Sequence, residues 1–136
     1  MKDTEINKRK ADALYSVYKQ GLEEGRFVSL SDASRKIATY PAPCFFVSAR
    51  QASLLVGRII SYVSLINLNK SGRRLAWCLY FRHKKYLAEN PDTKLSRERI
   101  MELIVEEEAP EFYISPDGVR RILGKKIKSV RRNLGW

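Results

Sequence analysis

Near the end of the chain four cations, Arg121, Lys125, Lys128 and Arg132, recur at intervals of four, three and four residues. At 100° per residue they fill a helical stripe about 60° wide. Val119, Ile122, Leu123, Ile127, Val130 and Leu134 fall on the other side. Arg120 and Arg131 flank the stripe, and residues 119–136 contain no acid. Such cations suit phosphate contact, because neutralising a polyanion releases its counterions. An apolar face opposite a basic one predicts an amphipathic helix seated on a core with its cations outward. From there the helix would lie in the major groove or along the phosphates.

Other chemistry is thinly supplied. The one histidine, His83, lies between Arg82 and Lys84, whose charge disfavours its protonation. Cys44 and Cys78 lack metal-ligand spacing and read as reduced, mostly buried thiols. There is no Gly-rich phosphate loop, metal-ligand cluster or nucleophile elbow. Tyr15, Tyr18, Tyr80 and Tyr113 lack the Arg and His constellation of a tyrosine recombinase, and read as core or interface aromatics. Glu106, Glu107 and Glu108 end a helix where the dipole disfavours them, so pairing with nearby Arg or Lys, or with a basic partner, is expected. As metal ligands they have no matching oxygen spacing. No catalytic residue, cofactor or metal is expected, and the chain does not read as an enzyme.

The overall charge agrees with the stripe. Lys and Arg number 26 against 15 Asp and Glu, a net +11 with a pI near 9.9. That field favours nucleic acid first and an anionic membrane second. The longest nearly apolar run, ASLLVGRIISYVSLI, is broken by Arg58 and makes no comfortable membrane span. No secretory pattern opens the chain. A cytoplasmic protein without a membrane partner is expected.

The elements that must position these cations appear twice. APCFFVS at 42–48 returns as APEFYIS at 109–115. Upstream, Leu14, Tyr15, Lys19, Leu22 and Glu24 match Leu79, Tyr80, Lys84, Leu87 and Glu89 at an offset of sixty-five. A turn longer by two residues, with room for Pro91 and Asp92, resets the offset to sixty-seven, which holds from Ser29 and Ser96 to Gly57 and Gly124. A slip confined to a turn is the mark of a duplicated unit. Each copy reads as three helices. Gly25 and Asn90-Pro91 stop the first, Ser29 and Ser96 start the second, and Pro43 and Pro110 end or interrupt it. Ser48 and Ser115 then cap the third.

A three-helix unit with a turn leading into a well-capped third helix resembles the tri-helical helix-turn-helix family. There is also a resemblance to small phage or mobile-element proteins. The resemblance implies an all-α fold of two tandem helix-turn-helix-like units: a basic polar leader at 1–10, a first repeat at 11–66, a linker at 67–74 and a second repeat at 75–136. It implies a DNA-binding accessory or regulatory protein of transcription, recombination or packaging, with RNA as a lesser variant. The third helix of the second repeat would do the binding through Arg120, Arg121, Lys125, Lys128, Arg131 and Arg132. Arg50 and Arg58, and Arg73 and Arg74 in the linker, would add phosphate contacts. In the first repeat Leu54 and Leu65 replace two of the cations, so with Tyr62 they predict an interface with the second repeat or with another copy in a homo-oligomer. The alternative is a helical structural or adaptor protein that self-assembles, as in a virion.

Overall fold

Side-chain oxygens set where the helices begin. Ser29, Ser48, Ser96 and Ser115 accept from the amides of Asp32, Gln51, Arg99 and Gly118 at 3.0–3.2 Å. Asn69 accepts from the amide of Gly72 at 2.7 Å. Each such cap satisfies an orphan donor and contributes about 1 kcal/mol. The resulting helices are α1 (Asp3–Glu23), α2 (Leu30–Ile37), α3 (Ala49–Ile60), α4 (Lys70–Glu89), α5 (Arg97–Ile104) and α6 (Pro116–Asn133). The computed structural model describes residues 3–135. Met1 and Lys2 of the expected leader, and Trp136 at the end of the second repeat, lie outside them.

The all-α expectation is met, with two adjustments at element boundaries. The leader is helical from Asp3 onward and belongs to α1. The expected linker is shorter, because α4 already begins at Lys70 behind its Asn69 cap.

Helix packing does not follow chain order. α1, α2 and α6 pack mutually as one trio, and α3, α4 and α5 as the other. Each half of the chain therefore gives two helices to one trio and its third helix to the opposite trio. Buried Leu14, Ala33, Ile37, Val119 and Leu123 lie on the helices of the first trio, and Ala52, Val56, Ala76, Leu79, Ile100 and Ile104 on those of the second.

The turns 38–48 and 105–115 cross between the trios. Ala42 and Ala109 exchange both backbone hydrogen bonds at 2.9 Å in an isolated antiparallel bridge. Beside it Phe45 stacks on Tyr113 at 6.0 Å, and Phe46 on Phe112 at 5.8 Å. The Arg82 guanidinium lies 5.3 Å from the centre of the Phe45 ring. The repeated phrase is thus the seam of the molecule, where paired aromatics bury surface that neither turn could bury alone. No helix among the described residues is long and apolar enough to cross a membrane.

Candidate nucleic-acid interface

α6 seats Val119 and Leu123 in the core of the first trio and turns its cations outward. Arg120, Arg121, Lys125, Lys128, Arg131 and Arg132 are all exposed, and none forms an ion pair among the described residues. Lys126 is the exception on this helix. Its Nζ reaches Asp12 of α1 at 2.6 Å and ties the two helices together.

A shallow groove of about 460 Å³ runs where α6 meets the start of α2, lined by Leu30, Asp117, Arg120, Arg121, Lys125 and Lys128. On the other flank a groove of about 530 Å³ runs between α6 and α1, bringing Lys8 and Lys10 beside Lys125 and Lys126. Burial pushes the Lys10 ammonium below its ordinary range. Sequence reasoning missed Lys8 and Lys10 as members of this surface. Their signal was the polar leader itself, which becomes positioned once it is helical.

The remaining expected cations are placed elsewhere. Arg58 donates to the Ser64 carbonyl and to Asn67 Oδ1, both at 2.6 Å, and so closes the loop after α3. Arg74 forms a bidentate pair with Glu111, Nε to Oε2 at 3.0 Å and Nη2 to Oε1 at 2.8 Å. This pairing raises the affinity of Arg74 for its proton, the Glu111 hydrogen bond being the main cause. Arg50 lines a cavity of about 890 Å³ whose wall also holds Arg9, Phe46, Glu98, Glu102 and Glu106. Arg73 stands on α4, in the other trio from α6.

Glu106 and Glu107 pair as expected, with Arg9 at 3.8 Å and Arg82 at 3.0 Å. Among the expected interface residues, Leu65 packs on the core, whereas Leu54 is 53% and Tyr62 96% exposed. α3 does pack on α4 and α5, through buried Ala52, Leu55 and Val56.

His83 is buried, which lowers its proton affinity, and Arg97 of α5 lowers it further. Cys44 and Cys78 are both free thiols, and burial pushes Cys44 upward. Among the described residues no group of three or more His, Cys, Asp or Glu is placed to hold a metal ion. The molecule is an all-helical protein, and α6 carries six exposed cations. Comparison with protein-family models, curated proteins and solved structures found no match.

Proposed function

We propose that the protein binds duplex DNA through α6 and the adjoining cations of α1, as an accessory or regulatory factor in transcription, recombination or packaging. The observation that carries this reading is the row of exposed cations on α6, unpaired among the described residues, with Lys8 and Lys10 drawn alongside. α6 takes the third position in a triangle of helices, the place a recognition helix holds in tri-helical DNA-binding units. Duplication of a three-helix unit, followed by divergence of the third helix, accounts for the basic α6 and the leucine-bearing α3. The paired serine caps and the self-complementary seam support that origin.

The test is fluorescence anisotropy of random-sequence duplex across a salt series. It compares wild type with Arg121→Ala, Lys125→Ala, Lys128→Ala and Arg132→Ala combined. Removing one cation from its phosphate lowers the log-log salt slope by about 0.9. A fall of about two units or more with unchanged circular dichroism is the expected result. Absence of duplex binding by wild type at low salt would overturn the proposal.

A second reading rests on the end of α3, where Ile60, Tyr62, Val63 and Ile66 are exposed within seven residues of one another. Such a patch favours self-association. A large closed ring or a filament in light scattering, without duplex affinity, would favour that reading.

A further inference from the structure

α4 carries a surface that the duplex reading does not use. Its buried side is spent on the core through Ser71, Ala76, Leu79 and His83. On the opposite side Lys70, Trp77, Phe81 and Lys84 share an arc of about 60°. Trp77 is 46% and Phe81 57% exposed, although large aromatics normally find cover. Their ring centres lie 5.9 Å apart with planes tilted by 31°. Tyr80 meets Trp77 edge-on at 5.7 Å and Phe81 at 5.4 Å, bracing both rings from one side.

Cations border the rings along the helix. Lys70, Arg73, Arg74 and Trp77 line a groove of about 450 Å³. Lys70, Arg73 and Lys84 form no ion pair among the described residues, and residues 70–88 contain no acid. The first turn of α4 holds cations and no acid, against the preference of the helix dipole. A bound polyanion relieves that conflict.

We propose that this face binds single-stranded nucleic acid, bases stacking on Trp77 and Phe81 while Lys70, Arg73 and Lys84 contact the phosphates. Stacking needs a free base face, which a duplex keeps within its own stack, so the rings select unpaired strands. The exposed apolar surface here is two rings set among cations, narrower than the apolar face that seats a helix in a lipid interface. The proposal does not rest on α6. α4 packs in the other trio.

The chain has two tryptophans, so Trp136→Phe leaves Trp77 as the sole indole reporter. Titration of this variant with oligodeoxythymidylate or oligouridylate of about 12 nucleotides, within the span of single-strand sites, is expected to quench that fluorescence. The two oligomers distinguish DNA from RNA as the source of the strand. In anisotropy with labelled oligonucleotide, Trp77→Ala and Phe81→Ala each weaken binding about tenfold, whereas Trp77→Phe retains most of it. Lys70→Ala, Arg73→Ala and Lys84→Ala combined lower the salt slope by about two, since each phosphate neutralised on a single strand accounts for about 0.7. The quadruple α6 variant keeps the Trp77 quench, which separates this proposal from the duplex reading. Unquenched Trp77, wild-type affinity in both Trp77→Ala and Phe81→Ala, or a Trp77 blue shift seen only with phosphatidylglycerol vesicles would each overturn it.

Discussion

Tyr62 occupies a position whose backbone favours glycine. It follows α3 with φ of 58°, and the Val63 amide reaches back to the Arg58 carbonyl at 2.8 Å. At the end of α1 the same closure is made by Gly25 with φ of 70°, the Arg26 amide bonding the Gly21 carbonyl at 2.8 Å. A side chain in the left-handed region costs about 1–2 kcal/mol. Tyr62→Gly is therefore expected to raise stability to urea by about 1 kcal/mol, since the ring is exposed and gives up little packing. Light scattering of wild type and Tyr62→Gly side by side tests whether the exposed ring also supports association between copies. His83 makes a second prediction. Its folded proton affinity is depressed, first by burial and then by Arg97. The unfolded chain consequently takes up the proton at higher pH than the folded one. Stability is full above the ordinary histidine value near 6.5 and falls as pH drops below it, levelling once the folded group also protonates. As the single histidine, its ring proton signals in NMR report the folded value directly, and a midpoint at or above 6.5 would contradict the assignment. The sequence pointed to this direction through Arg82 and Lys84, yet those neighbours leave the helix about 100° to either side of His83. Burial and a charge from another helix decide it instead, and neither is visible in a local window.

Among the elements, α1 shows where sequence periodicity runs out. Residues 3–10 carry one apolar side chain, Ile6, and several charges, so no 3.6-residue pattern declares a helix there. Ile6 is nonetheless buried, and Lys8 and Lys10 become part of the α6 groove. The serine caps were legible because capping is local chemistry between residues three apart. The α6 stripe was legible for a similar reason, being set by one helix alone. Arg58 and Arg74 were not, because their partners Asn67 and Glu111 lie nine and thirty-seven residues away. Gly21 sharpens the point. Within a helix Ala is favoured over Gly by about 1 kcal/mol, so propensity alone recommends Gly21→Ala. A Cβ there would run into the ring of Phe27, which is itself buried and packed near Tyr18 and Tyr40. Gly21→Ala is expected to destabilise by about 1–3 kcal/mol from overpacking. A Tm that rises instead would show that Phe27 has room to move.

At the scale of the molecule the two halves have the same helix order but do not fold separately. The helix pairs that pack fall into equivalent twos: α1 on α2 as α4 on α5, α2 on α6 as α5 on α3, and α1 on α6 as α4 on α3. A hydrophobic pattern tells each third helix to cover a pair of helices, and both pairs present apolar faces of the same kind. Chain order leaves the choice open. The crossing turns favour the exchange, because the mutual Ala42–Ala109 hydrogen bonds and the stacked rings beside them join the two turns where they pass each other. The exchange has a measurable consequence for stability. Residues 1–68 include α3 without α4 and α5, and leave α1 and α2 without α6. Exposed core faces of that size remove the burial that offsets chain entropy. Fragments 1–68 and 69–136 are each expected to lack a cooperative monomeric unfolding transition at micromolar concentration. Mixed in equal amounts, they are expected to recover the helical circular dichroism and the transition of the intact chain. The mixture should be less stable than the intact chain, because association replaces a covalent link. Cooperative unfolding of monomeric 1–68 would mean that α3 folds back on α1 and α2, and that the crossing at Ala42 and Ala109 is not what selects the partner.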